Sequence, residues 1–234
     1  MQQPAPAPLP GFQRTYAVVM GTCARPGASY IEPTLANLRR SGWPGAQRIL
    51  VIDSMERTRN QTGIACLEAG LATGAEWILF LEDDIQVCDD FLGSVDRWIA
   101  ERPEPAAPTL YTFYCPFGRA FHEGRDGAWN YPLQLFNGCQ AFALRSADVS
   151  GALTCLRRLL PTWGSPGGFD RLLSAWLLAC GGQILASVPS FVQHVGYQTA
   201  MGYPHWHQSP TFPGTDWQYP SGRLEDLTTS RRQA

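Results

Sequence analysis

At 234 residues, with 44% hydrophobic residues and a formal charge of −2, the chain is long enough to bury a sizeable core, most simply as one α/β domain. That charge gives no broad pull towards nucleic acid or an anionic membrane. All 18 basic residues are arginines, which excludes chemistry built on a Schiff-base or phosphate-binding lysine. The seven cysteines (23, 66, 88, 115, 139, 155 and 180) are odd in number and form no C-x-x-C pair, so reduced, buried thiols in a cytoplasmic protein are expected. No apolar segment approaches the ~20 residues of a membrane span.

In chain order, residues 1–14 read as a flexible proline-rich leader without a signal pattern. Tyr16–Thr22 (YAVVMGT) is an apolar strand, followed by a loop with Cys23, Arg25, Pro26 and Gly27. Ile31, Leu35 and Leu38 recur at helical spacing up to Arg40, and Gly42–Gly45 ends that helix. Arg48–Ser54 (RILVIDS) reads as a second buried strand, and Ile64, Leu67 and Leu71 mark a helix that stops near Gly74. The run Trp77–Asp84 (WILFLEDD) follows directly. Two strand–helix–strand units with short connections imply a mostly parallel sheet flanked by helices.

The second half is less regular. Asp89 or Asp90 caps a predicted helix to about Glu101, and Leu110–Tyr114 reads as a strand. Pro116–Pro132 reads as a long functional loop and Phe136–Leu144 as a strand. Ser146 caps a helix with core face Val149, Leu153, Leu156 and Leu160. The GSPGG break at Gly164–Gly168 precedes an apolar helix, Phe169–Cys180, and a last strand, Gln183–Pro189, runs into SFVQHVG. The domain is expected over 15–220, with a polar tail at 221–234.

WILFLEDD carries the most chemistry. Its apolar part suits a strand buried on both faces, yet it ends in three adjacent carboxylates that repel one another. A divalent cation such as Mg²⁺ or Mn²⁺ removes that repulsion, since hard oxygen ligands suit it. The bland alternative is a solvated acidic turn. Ligands of parallel sheets bind beyond the carboxyl ends of the strands, the edge that here carries Thr22, Asp53 and Glu82–Asp84. Arg57, Arg59 and Asn60, before the second helix, can contact phosphate or ribose, although arginines at a helix start are common on surfaces.

A strand ending in EDD, a helix opening with Asn60-Gln61 and the late element PSFVQHVG resemble a glycosyltransferase of the GT-A fold. The likeness is to the N-acetylglucosaminyltransferase IV family, which shares a PS-x-x-QH-x-G element. The segment NGCQAFALRSADVSGAL resembles the acceptor-side strand and helix of bacterial lipopolysaccharide glycosyltransferases. The likeness covers roughly residues 16–200, as scattered short motifs.

The resemblance implies transfer of a sugar from a nucleotide donor to a hydroxyl acceptor. Asp84 would coordinate the cation, while Glu82 or Asp83 orients ribose or sugar. His194 would complete the metal site; the alternative is a buried structural histidine. Thr22, Arg25 and Asp53 lie where this fold holds base and ribose, and Asp53 accepting from the uracil N3–H would favour a UDP-sugar; it can equally be a turn cap. Asp170 is the candidate base of an inverting transfer, with complementing its helix dipole as the alternative.

His205 and His207 fall in an aromatic segment that can chelate a metal or wall the acceptor site, and Trp129 with His122 can form a facing wall. A sugar nucleotidyltransferase is a rival, weakened by TCARPG being a poor phosphate loop. A silent nucleotide- or carbohydrate-binding module is another. The acceptor stays open among glycan, small molecule, protein and a modified DNA base. Arginines 119, 125, 157, 158 and 171 can form a local patch that net charge conceals.

Overall fold

The computed structural model describes residues 7–22, 29–53, 57–163, 168–196 and 208–219. The chain order is β1 (Tyr16–Gly21), α1 (Ile31–Arg40), β2 (Ile49–Ile52), α2 (Arg59–Ala72), β3 (Trp77–Glu82), β4 (Ile85–Val87) and α3 (Phe91–Ala100). Then come β5 (Thr109–Thr112), α4 (Ala120–Glu123), β6 (Ala128–Tyr131), β7 (Ala141–Arg145), α5 (Ser146–Trp163), α6 (Phe169–Cys180), β8 (Gln183–Ser187) and β9 (Val192–His194).

Seven strands form one sheet in the order β2-β1-β3-β7-β5-β8-β6. Five run one way, while β7 and β6 run against their neighbours. This is a single α/β domain with a mostly parallel central sheet flanked by helices, three layers deep.

Strand alternation divides the core. Val19, Ile78, Phe80 and Phe142 face one way, into a cluster with residues of α2, α5 and α6. Val18, Met20, Leu79 and Leu81 face the other way, with residues of α1 and α3 and of a two-stranded ribbon, β4–β9. Each fully buried Leu, Ile or Phe contributes roughly 1.5–3 kcal/mol, so the continuous apolar run of β3 suits the only kind of position where both faces count. On the first face Phe80 stacks on Phe142 at 4.8 Å, and Phe169 tilts against both. Gly63 of α2 makes room for Phe169: a Cβ there would lie 2.6 Å from its ring. That contact seats the first turn of α6, and with it Asp170, at the edge of the sheet.

Several expectations are corrected. β2 is an edge strand of the sheet and only half buried, with Val51 43% exposed, as nothing among the described residues pairs on its outer side. The Pro116–Pro132 stretch contains α4 and β6, and β7 begins only at Ala141. Asp90 precedes α3 with φ 42°, but its carboxylate goes to Arg97 at 2.8 Å and caps nothing. α1 buries Thr34, Asn37 and Leu38, whereas Ile31 and Leu35 are half buried. Its inner face is partly polar because it packs on the β4 main chain.

Candidate active site

The ends of β1, β2 and β3 bring Thr22, Asp53 and Glu82 to one edge, in register Gly21↔Ile52 and Gly21↔Glu82. Beyond β3 the chain does not turn into solvent. Asp83 and Asp84 are 3% and 2% exposed, and the following residues form β4. Buried carboxylates need compensation, and the local main chain is held firmly enough to demand it. Thr34 Oγ1 donates to the carbonyl of Asp83 at 2.6 Å and reaches that of Ile85 at 3.0 Å, while Asn37 Oδ1 accepts from Val87 N at 2.6 Å.

The antiparallel β4–β9 pairing sets Ile85 opposite His194, and Val195 N donates to Asp84 O at 2.9 Å. His194 Nε2 consequently lies 3.1 Å from Asp84 Oδ2, both groups buried. Gly196 completes the arrangement: a Cβ on it would come within 2.4 Å of Asp84 Oδ2 and 3.0 Å of His194 Nε2. The rest of the PSFVQHVG element is scaffolding. Gln193 Oε1 accepts from Ser209 N at 2.7 Å, and Ser190, Ser209 and Thr211 share a buried hydroxyl network that also binds the main chain of Cys115. Beneath the ribbon, Phe113 and Phe191 stack at 5.7 Å with Trp98 edge-on to both.

A carboxylate oxygen suits Mn²⁺ or Mg²⁺, a neutral imidazole can supplement it on Mn²⁺, and two ligands at right angles, each about 2.1 Å from an octahedral ion, stand about 3.0 Å apart. The observed 3.1 Å spacing fits that donor set, and Gly196 packs too closely on both groups to admit a side chain. Among the described residues no group of three or more His, Cys, Asp or Glu forms a metal cage, so the pair offers only part of a coordination sphere.

Asp170 stands in the first turn of α6, half buried, and its Oδ2 accepts from Gly138 N at 3.0 Å. The thiol of Cys139 is fully buried, and its pKa is pushed well above the ordinary value, mainly by burial and further by Asp170 and Glu82. Burial likewise raises the Tyr114 hydroxyl, with smaller contributions from Tyr131 and then Glu82 and, less, Asp84.

The nucleotide-side candidates are more dispersed. Thr22 is buried, with its N–H on Ile52 O at 3.0 Å; Asp53 and Arg57 are exposed, Arg57 reaching the Asp53 carbonyl at 3.3 Å. Asn60 is buried beside the α2 capping box of Thr58 and Gln61. Arg25, His205 and His207 lie outside the described residues. Trp129 is only 5% exposed, donates to Glu123 at 2.9 Å and packs on Phe117 and Tyr131, so it offers no wall to a ligand. Four of the five arginines are engaged locally rather than as a patch: Arg157 pairs with Glu68, Arg171 binds Gln134 O, Arg125 binds local carbonyls, and Arg119 lies over Phe117 and Trp129.

Sequence reasoning missed the clasp of Thr34 and Asn37, the close packing of Gly196 on Asp84 and His194, and the buried amide of Gln140. The one signal was polar Thr34 and Asn37 on the inner side of an otherwise amphipathic helix. A cavity of about 660 Å³ lies at the opposite end of β1, bordered by Tyr16, Gln47 and Thr73, away from these groups.

No protein-family model matches the chain. It is 30% identical over 154 residues to a probable betaine aldehyde dehydrogenase of Schizosaccharomyces pombe; the match takes in 57% of this chain and 29% of that protein, so the chain spans under a third of the relative's length. Among solved structures it is similar to a glycosyltransferase involved in glycosylation of the major capsid of PBCV-1, at 11% identity and TM-score 0.48, covering 74% of this chain and 82% of that one. It is also similar to a mutant Drosophila beta-1,4-galactosyltransferase 7 in complex with manganese, UDP-Gal and xylobiose, at 13% identity and TM-score 0.41, covering 77% and 71%. A mannose-1-phosphate geranyltransferase of Thermus thermophilus overlaps at 14% identity and TM-score 0.39, covering 74% and 73%. None of these overlaps reaches 0.5, so function rests on the chain's own residues. No helix among the described residues is long and apolar enough to cross a membrane.

Proposed function

We propose that this chain is a metal-dependent glycosyltransferase of the GT-A kind, moving a sugar from a UDP-sugar to a hydroxyl acceptor with inversion. The observation that carries the reading is the Asp84–His194 contact at 3.1 Å, built at the carboxyl edge of the sheet by residues 110 apart in sequence. A structural histidine would serve equally well on any carbonyl. Here the imidazole meets the last carboxylate of an acidic run, against a glycine whose close packing admits no side chain.

Asp84 and His194 would hold a Mn²⁺ or Mg²⁺ ion. When bound, the ion neutralises charge on the leaving diphosphate. Glu82 or Asp83 orients the ribose or sugar, and Thr22, Asp53, Arg57 and Asn60 border the place for base and phosphate, with Arg25 a further candidate. Asp170, positioned by Gly138 N and the α6 first turn, accepts the proton from the acceptor hydroxyl as that oxygen attacks the anomeric carbon. The bond to the diphosphate breaks as the new glycosidic bond forms. Water must be kept from the same carbon, and the buried setting of Asp84 and His194 favours that.

Titration calorimetry with UDP, with and without Mn²⁺, and a UDP-release assay over a panel of UDP-sugars test the reading. Wild-type protein binds UDP more tightly with Mn²⁺, and Asp84→Ala loses that gain and all turnover. Asp170→Asn binds donor normally and transfers nothing; transfer by that variant refutes its role as base. A preference for nucleoside triphosphate over UDP-sugar refutes the transferase reading in favour of a nucleotidyltransferase.

A further inference from the structure

Gln140 is 8% exposed, and its Oε1 has no hydrogen-bond partner among the described residues. A buried carboxamide oxygen without a donor is a cost that folded proteins seldom leave standing. Its surroundings are well defined. The β3–β7 register sets Leu81 opposite Ala141, and Glu82 N donates to Gln140 O at 2.9 Å, so Glu82 is the residue across from Gln140. Directly opposed residues present their side chains on the same face of a sheet. That face is the one carrying Phe80, Phe142 and Phe169, and Asp170 follows Phe169.

The amide is also folded back over a turn. Gly138 has φ +100°, and a Cβ there would lie 2.1 Å from Gln140 Oε1. Only glycine allows the turn and the close approach together. Gly138 in turn donates its N–H to Asp170 Oδ2. Gln140 thus belongs to the same small constellation as Glu82 and Asp170.

Resting on the transferase reading, we propose that Gln140 reads the sugar of the donor, its Oε1 accepting a hydrogen bond from a hydroxyl of the transferred unit. The Gln140 oxygen and the Glu82 carboxylate are both acceptors on one face. Such a pair matches a neutral polyhydroxyl ring, which brings O–H donors, and repels a sugar carrying its own carboxylate. The substrate class is a neutral hexose or N-acetylhexosamine, and a uronic acid is discriminated against.

The test is calorimetry in Mn²⁺ with UDP, UDP-glucose, UDP-galactose, UDP-N-acetylglucosamine and UDP-glucuronate, on wild type, Gln140→Leu and the closer isostere Gln140→Met. Wild type binds at least one neutral UDP-sugar about fivefold or more tighter than UDP, the worth of one net hydrogen bond, and UDP-glucuronate no better than UDP. Both variants bind UDP as wild type does, lose the sugar-dependent gain, and keep or raise their Tm, because an apolar isostere removes the unpaired buried amide. Retention of the sugar-dependent gain in either variant overturns the Gln140 assignment alone. So does a joint loss of Tm and UDP affinity, the signature of a structural role. Failure of wild type to bind UDP in Mn²⁺ overturns the transferase reading itself.

Discussion

Gly196→Ala tests the close approach of the main chain to the Asp84–His194 pair. Gly196 is not in the left-handed region, so alanine's backbone preferences are satisfied and only the added methyl matters. That methyl would sit 2.4 Å from Asp84 Oδ2 and 3.0 Å from His194 Nε2. Ordinary contact begins near 3.4 Å, so about 1 Å of displacement is required at the carboxylate. Neither neighbour is the loose end of a flexible chain: Asp84 is fixed through its carbonyl and β4, His194 through β9. Overpacking of this kind costs about 1–3 kcal/mol of stability. In a domain of this size that is about 2–4 °C of Tm per kcal/mol. Metal ligation tolerates only about ±0.2 Å, and misplacement near 1 Å costs on the order of 100-fold in function. Calorimetry should show UDP affinity in Mn²⁺ falling towards its value without metal, while metal-free UDP binding stays unchanged. Metal-dependent binding within about threefold of wild type, well short of that loss, would refute the idea that this pair is the ion's seat.

Thr34→Val removes the hydroxyl that holds the carbonyls of Asp83 and Ile85 while preserving shape; urea unfolding should show a loss of about 1–3 kcal/mol, and UDP–Mn²⁺ affinity should weaken, with unchanged binding refuting the clasp. Alkaline pH should destabilise the fold. Burial pushes the thiols of Cys66 and Cys88 up to about 12 and that of Cys115 up to about 11, from an ordinary value near 9. The native state keeps protons that the unfolded chain releases above about pH 9, so this stabilisation is complete below that pH and is lost as pH rises towards 11–12. Each such thiol contributes a slope of up to about 1.4 kcal/mol per pH unit. Urea unfolding at about pH 8 and about pH 10, on either side of the ordinary thiol value, reads the fall, and equal stability at the two would refute it.

Where the sequence carried strong periodicity the fold was legible. The continuous apolar run of β3 and the helical spacing of α2 and α6 needed no tertiary information, and their bounds came close. Local glycines closed α1 and α2 as expected, with Gly42 and Gly74 both at positive φ. The ribbon was not legible, because three-residue strands have no period to detect. β2 looked buried because apolar content alone does not distinguish an edge strand from a central one. Of the site, Asp84 and His194 could be singled out by residue type, and the structure brings them into contact. Gly196 and Gln140 stood out only as positions within short motifs, since their meaning is a distance to another side chain and not a chemistry of their own. The polar face of α1 defeated an apolar template for the same reason: Thr34 and Asn37 serve main-chain atoms about fifty positions away.

The β4–β9 ribbon joins a strand that is synthesised early to one made more than a hundred residues later. A ribosome-bound fragment ending before residue 190 lacks β9 and so leaves the acidic tip without its imidazole. On the proposed reading, an ion would find Asp84 and His194 together only after nearly the whole domain has emerged.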